Sequence, residues 1–269
     1  MQHLPAKSRK RLILDTLKKD GGIRITELAE KLDKSRMTIT RDLDELAKSG
    51  LLLRVHGGAV SNTSTSYEPP YFSRKGFRNK AKQAIAQLAN DFITKGNTLI
   101  LDVGSTTREL ALLLKKRKNL TVITPSLEHA IELSVNSAIK TIVSGGIVRV
   151  GEMSLVGPIS EQTIKGFNVD LAFIGAGGVD LEAGLTEYNM EDAQVKKCIL
   201  ENCRKTIVLA DAAKLGAVTL TKVIPLEKID ILITDSKSDS SFVQKIKEMG
   251  VKVFIADKNK KEFAEEMEF

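Results

Sequence analysis

Apolar positions in the first sixty residues recur three times at helical spacing and then give way to a short alternating pattern. Ala6 to Lys19 sets Leu12, Ile13 and Leu17 among basic residues, an amphipathic helix that Asp20-Gly21-Gly22 should end. A short second helix is predicted from Ile25-Thr26, with Thr26 as its cap and Leu28, Ala29 and Leu32 along one face. Asp33-Lys34 reads as a tight turn. Ser35 then caps a third helix with Ile39, Leu43 and Leu46 inward and Gly50 as its stop. Leu51–Arg54 and Ala59-Val60 read as two short strands around Gly57-Gly58. Helix, helix, helix and hairpin together outline a winged helix-turn-helix.

Residues 61–78 are rich in Ser, Thr and Pro and lack periodicity, the composition of a linker. From Asn79 onward helical stretches alternate with short β-branched runs. The expected helices are Lys80–Ile93, Thr107–Lys116, Leu127–Asn136, Glu191–Asn202 and Ser240–Met249. The expected strands are Thr98–Asp102, Leu120–Thr124, Lys140–Ser144, Leu171–Gly175, Thr206–Ala210, Ile229–Thr234 and Val251–Ala256. These runs are almost continuously apolar, as strands covered on both faces are, and alternation with helices implies a mostly parallel, Rossmann-like α/β sheet. The expected division is residues 1–60, a linker at 61–78, and an α/β domain over 79–269.

A chain of 269 residues suits two domains, and 42% hydrophobic with 28% charged residues is ordinary for a soluble globular protein. No apolar run approaches the ~20 residues of a membrane span, and the N-terminus has no apolar signal core, so a cytoplasmic location is expected. Cys198 and Cys203, five apart on an expected helix, suit neither a redox pair nor a metal cluster. With three scattered histidines, neither a structural zinc nor any cofactor is expected. The net charge of +7 is unevenly held. Residues 1–82 carry 18 Lys and Arg against 9 Asp and Glu, while the remainder carries 23 against 25. An anionic polymer is the partner such a basic third suits, because phosphate neutralisation releases counterions. A merely solvated basic surface is the alternative.

The third helix has the distribution of a groove reader. Ile39, Leu43 and Leu46 face inward, while Arg36 and Thr40 lie one turn apart beside Met37 and Arg41. Such a helix can enter a major groove about 12 Å wide, where Arg forks onto guanine or grips phosphate and Thr meets phosphates or thymine methyls. Ser35, Arg36, Met37, Thr38, Thr40 and Arg41 are therefore the candidate readers, with Arg54 and His56 of the hairpin reaching the adjacent backbone or minor groove. Small trihelical modules with basic faces also bind protein. The run Ile25-Thr26-Glu27-Leu28-Ala29, then Ser35 to Leu43, then Gly50-Leu51 and Arg54 to Ala59, resembles the N-terminal domain of DeoR-family regulators. That family usually carries Thr-Ile-Arg-Arg-Asp-Leu where this chain reads Thr38-Ile39-Thr40-Arg41-Asp42-Leu43, so Thr40 should alter one DNA contact.

In the α/β part, Leu99 to Glu109 runs from a buried strand ending at Asp102, through a Gly104 turn, into a helix. Free N–H groups and the positive helix end make this junction an anion site, and Ser105, Thr106 and Thr107 add donors suited to phosphate. Asp102 would accept bonds from sugar hydroxyls. Plain capping, with Thr106 and Glu109 as a capping box, competes with this reading. Other strand ends converge here by topology: Ser144-Gly145-Gly146, Gly175-Ala176-Gly177-Gly178, and Asp211 to Lys214, where Lys214 is the chosen phosphate counter-charge or else a solvated surface lysine. The effector candidates are thus Asp102, Gly104, Ser105, Thr106, Thr107, Gly145, Gly177 and Lys214.

These segments also occur in the order seen in DeoR-family sensor domains, so that the resemblance spans nearly the whole chain, with Thr124-Pro125 in place of the family's Thr-Asn. The resemblance implies a fold similar to ribose-5-phosphate isomerases and CoA transferases. It also implies a repressor of a carbohydrate operon that binds double-stranded operator DNA and a phosphorylated sugar. A homo-oligomer reading paired half-sites is expected. The alternative is a sugar-phosphate isomerase with an appended DNA-binding module. The similar isomerases hold an acidic pair where this chain has Gly177-Gly178, so no turnover is expected. A protein-binding scaffold is the third reading.

Overall fold

Three helices, α1 (Ala6–Asp20), α2 (Ile25–Leu32) and α3 (Arg36–Lys48), precede or flank a small antiparallel sheet of β1 (Gly22–Arg24), β2 (Leu53–Val55) and β3 (Gly58–Val60) in the order β1-β3-β2. The computed structural model describes residues 5–20, 22–48, 51–60, 65–69, 71–76 and 79–256. Ile13, Leu17, Leu28, Ile39, Leu43, Leu46 and Leu52 form the core of this first unit, which is the inward set that the helical spacing picks out. The chain divides into units Met1–Arg74 and Lys75–Phe269.

Two local expectations give way. The second helix starts at Ile25 with Arg24, not Thr26, at its cap and no side-chain capping bond. The reason is strand β1, three residues too short to show in the pattern, which runs straight into the helix while Ile25 N–H donates to Gly57 C=O at 2.9 Å. The stretch 61–78 also carries a helix, α4 (Tyr71–Gly76), with Tyr71 buried. Its Ser, Thr and Pro residues are concentrated before Tyr71, where the apolar pair Tyr71-Phe72 begins. The helix stops assigned to Gly21 and Gly50 lie outside the described residues.

The second unit is built on seven parallel strands. After α5 (Asn79–Asp91) come β4 (Thr98–Leu101), α6 (Ser105–Leu114), β5 (Leu120–Thr124), α7 (Leu127–Ser134) and β6 (Ile139–Val143). A hairpin of β7 (Ile147–Arg149) and β8 (Ser154–Val156) leads to α8 (Pro158–Lys165) and β9 (Val169–Gly175). Then β10 (Gly178–Asp180), β11 (Gly184–Glu187), α9 (Met190–Glu201), β12 (Cys203–Leu209), β13 (Thr221–Ile224), β14 (Ile231–Asp235), α10 (Ser240–Glu248) and β15 (Lys252–Ala256) complete it. The main sheet has the order β15-β14-β12-β9-β4-β5-β6, every neighbour parallel. Strands β10, β11 and β13 form a separate antiparallel sheet.

Successive strand residues feed opposite cores. In β4, Leu99 and Leu101 join the layer with α5, α6 and α7, whereas Ile100 joins the layer with α8, α9 and α10; β9 and β14 repeat the alternation. Both faces are therefore covered, which is why these runs read as continuously apolar. The chain builds outward from β4 through β5 to β6, then returns to β9 on the other side and continues to β15. The switch point falls between β4 and β9, and in open α/β sheets ligands bind in the crevice outside the strand ends at such a point. Cys203 begins β12 rather than sharing a helix with Cys198. Among the described residues no helix is long and apolar enough to cross a membrane.

Candidate functional site

The third helix is held by ion pairs that sort its charges. Ser35 caps it, its Oγ accepting from Thr38 N–H at 3.2 Å and lying 2.9 Å from Thr38 Oγ1. Asp42 is buried and paired with Arg9 of α1, Glu45 with Lys10, and Asp44 with Arg54 of β2 at 2.8 Å. The acidic C-terminal half of α3 is thus bound to neighbouring cations. Arg36 and Arg41, in the N-terminal half, are exposed and have no carboxylate partner among the described residues, and Met37 beside them is 82% exposed. This end of a recognition helix is the one that meets base edges. Thr40 is half-buried and His56 is exposed in the turn of the hairpin. Arg54 departs from expectation. Its guanidinium is spent on Asp44 and the Gly58 carbonyl, so it fastens the hairpin to α3 instead of standing free for phosphate.

In the second unit the β4–β9 switch point sets Asp102, and the Gly104–Thr107 turn that follows it, beside a charge cluster. Asp102 follows β4, and its Oδ2 accepts from Gly175 N–H at the end of β9 at 2.9 Å. Lys196 of α9 closes on the same oxygen and also donates to Gly175 C=O at 3.2 Å and meets Glu187 Oε2 at 3.3 Å. Asp102 and Lys196 side chains are each 1% exposed. Burial opposes the charged ammonium, but Asp102, Glu187 and Asp192 outweigh it and hold Lys196 above the ordinary lysine range. Asp192 is itself paired with Arg149 from the β7–β8 hairpin. Burial raises the pKa of Asp102 and Asp192 against the pull of these cations, and the carboxylate-rich cluster suits hydroxyl groups better than a phosphate. Asp102 Oδ1 is buried with no hydrogen-bond partner, an acceptor left open.

The anion-suited part is the neighbouring start of α6. Gly104 caps it at φ +139°, a backbone value that L side chains rarely adopt. Thr107 Oγ1 donates to Gly104 C=O at 3.0 Å, so its proton serves the turn. The Ser105 and Thr106 hydroxyls have no partner among the described residues and remain free to donate. The competing capping box of Thr106 and Glu109 does not form, because the helix begins two residues earlier than that motif requires, with Gly104 at the cap, and Glu109 faces Arg108. Lys214, half-buried, lies with Nζ 3.4 Å from Tyr188 Oη and 5.1 Å from the ring centroid.

The glycines have backbone reasons. A Cβ on Gly177 would come within 2.8 Å of Thr186 O, and one on Gly178 within 2.1 Å of Ala217 O, so neither position has room for a side chain. Gly145, with φ +72°, continues the turn after β6 and accepts from the Ser144 hydroxyl at 3.2 Å. Sequence reasoning missed Lys196, Glu187, Tyr188, Arg149 and Asp192. One signal was present for Lys196: it occupies the buried stripe Asp192-Ala193-Lys196-Ile199 of α9, a position where helical periodicity expects an apolar residue.

Comparison with known proteins agrees with this two-part arrangement. Residues 9–65 match the family model of the DeoR-like helix-turn-helix domain, and residues 78–236 match that of the DeoR C terminal sensor domain. The chain is 36% identical over 93% of its length to the HTH-type transcriptional regulator GolR of Listeria innocua, covering 98% of that protein. It is 36% identical to the regulator GlpR of Haloferax volcanii, over 93% of this chain and 97% of the relative. Identity to the glycerol-3-phosphate regulon repressor of Escherichia coli is 31%, over 86% of this chain and 92% of that one. Among solved structures, ribose 5-phosphate isomerase A of Methanocaldococcus jannaschii aligns with 51% of this chain and 54% of its own at 20% identity and a TM-score of 0.39, a likeness too distant to bear on activity.

Proposed function

This chain belongs to the DeoR family of transcriptional regulators, and from that premise we propose that it represses a carbohydrate-use operon under the control of a phosphorylated sugar. One observation carries the effector half: at a single switch point, an α6 N-terminus with two free hydroxyls stands beside a buried carboxylate with an open oxygen. The first suits a phosphate and the second a sugar hydroxyl. On this reading Gly104, Ser105 and Thr106 hold the phosphate, with Lys214 as counter-charge, and Asp102 receives a hydroxyl. Thr107, Gly145 and Gly177 shape the loops around it.

In the DNA half, Arg36, Met37, Thr40 and Arg41 face the groove, Ser35 and Thr38 fix the start of the helix, and His56 reaches toward the backbone. A homo-oligomer reads two half-sites in the cytoplasm. Transmission has a physical candidate within the second unit. Arg108, in the first turn of α6, donates to Glu128 Oε1 at 2.7 Å, and Lys75 of α4 meets the same oxygen at 2.7 Å. A shift of α6 on phosphate binding is thereby felt at Lys75, where the second unit begins in the chain. Turnover is not part of this reading, because Asp102 and Glu187 are engaged by Lys196 and Gly177 and Gly178 supply no carboxylate.

The test is fluorescence anisotropy on DNA from the chain's own gene neighbourhood, at two salt concentrations and against a panel of sugar phosphates. Selective, salt-sensitive binding altered by one phosphosugar supports the proposal. Selective binding that no member of the panel alters removes its effector half, and isomerised product accumulating in the mixture would restore the enzyme reading.

A further inference from the structure

Glu187 and Tyr188 are adjacent in the chain but serve two different lysines. Lys196 donates to Asp102 Oδ2 and Gly175 O and forms an ion pair with Glu187 Oε2 at 3.3 Å, so its positive charge is met by carboxylates within the protein. Lys214 has no carboxylate partner among the described residues. What holds it is the neutral side chain of Tyr188, through the hydroxyl at 3.4 Å and the ring face at 5.1 Å. The backbone that carries Tyr188 is anchored in turn, its N–H donating to Glu187 Oε1 at 2.8 Å. The difference matters for an incoming anion. A carboxylate would place a lysine and cancel its charge, whereas an aromatic face places it and leaves the charge intact.

We propose that Tyr188 is the positioning residue of the effector site, holding the Lys214 ammonium in place and uncancelled for the effector's phosphate group. The proposal rests on the phosphosugar reading given above. It adds that the segment 187–188 divides the site into a lysine paired with carboxylates and an available lysine on an aromatic ring. Without the ring, Lys214 regains the rotamer freedom of a surface lysine, and ordering it again weakens phosphate binding.

The chain has three tyrosines and no tryptophan. Full-length protein labelled with 3-fluorotyrosine therefore gives three fluorine resonances, and Tyr188→Phe identifies the one from Tyr188. The probe is inorganic phosphate, titrated against chloride at matched ionic strength. The expected result is a saturable, phosphate-specific shift of the Tyr188 resonance that Lys214→Ala abolishes. Tyr188→Leu should weaken phosphate affinity about fivefold, whereas Tyr188→Phe, which keeps the ring face, should stay within about twofold of the parent. Loss in Tyr188→Leu with rescue in Tyr188→Phe separates positioning from a general packing defect. Lys214→Ala losing phosphate while Tyr188→Leu binds normally would overturn the role of Tyr188 alone. Lys214→Ala binding phosphate normally would overturn the phosphate reading of Lys214 beneath it. Should Tyr188→Leu not fold, the parent protein still decides, since a Tyr188 resonance indifferent to phosphate contradicts the proposal.

Discussion

Replacing Lys196 by Met tests whether the buried charge cluster is held together as described. The substitution keeps a long, unbranched side chain and removes the cation from between Asp102, Glu187 and Asp192, whose side chains are 1%, 9% and 6% exposed. Breaking a buried pair by removing one partner costs about 3–5 kcal/mol, since the remaining charge is stranded. At an m-value of about 2 kcal/mol per molar, that lowers the urea midpoint of the second unit by roughly 2 M. The sign of the pH dependence is fixed too. Without the ammonium, the stranded carboxylates have folded-state pKa values above their unfolded ones, so the variant's stability is greatest at low pH and is lost as pH rises through those values. The deficit relative to the parent should therefore be larger at pH 8 than at pH 5. Lys196→Met combined with Asp102→Asn should recover at least half of the loss. Urea unfolding followed by circular dichroism at both pH values reads all three outcomes. A midpoint within about 0.3 M of the parent, or a deficit that grows on acidification, would refute the reasoning.

Three further outcomes are expected. Arg41→Ala should weaken operator binding at least about tenfold (~1.4 kcal/mol) without changing phosphosugar affinity, by anisotropy and calorimetry respectively. Glu128→Gln, which weakens the carboxylate shared by Lys75 and Arg108, should leave both single-ligand affinities within about twofold and at least halve the coupling between them; unchanged coupling would remove this route. His129 is fully buried, and burial lowers its pKa to about 4. The stability from keeping it neutral is present above pH ~6.5 and lost as pH falls through about 4, about 3 kcal/mol in all. His129→Leu should flatten the stability profile between those values, and an unchanged acid limb in urea titrations would show that another group titrates there.

What could be read from the pattern of residues follows the physics of each element. The inner strands of the main sheet, such as β4, β9 and β14, announce themselves because both faces are covered and nearly every residue is apolar, and the edge strand β6 is legible by its β-branched residues, though Val143 is exposed. The hairpin β7–β8 and the strands β10, β11 and β13 do not, being three or four residues long and too short for a period of two to register. The inward stripe of α3 is legible, but the pairing of Arg54 with Asp44 depends on how the hairpin folds back, which spacing does not report. The switch-point loops were recognisable from Asp102 and the hydroxyl run after it. Lys196 stayed hidden because it lies 94 residues from Asp102, and nothing local marks a lysine destined for burial except its place on an apolar stripe. Gly177 and Gly178 read as an absence of catalytic carboxylates, and the structure adds that neighbouring backbone occupies the space.

The central claim is that phosphate at the β4–β9 switch point controls DNA reading by the third helix, and Lys214→Ala tests it most directly. Operator anisotropy would be measured for the parent and for this variant, with and without the phosphosugar that alters parent binding. The account predicts equal operator affinity in the absence of the sugar and a response reduced at least about tenfold in effector concentration for the variant. An intact response together with weakened operator binding would contradict it, by placing Lys214 at the DNA instead of at the effector.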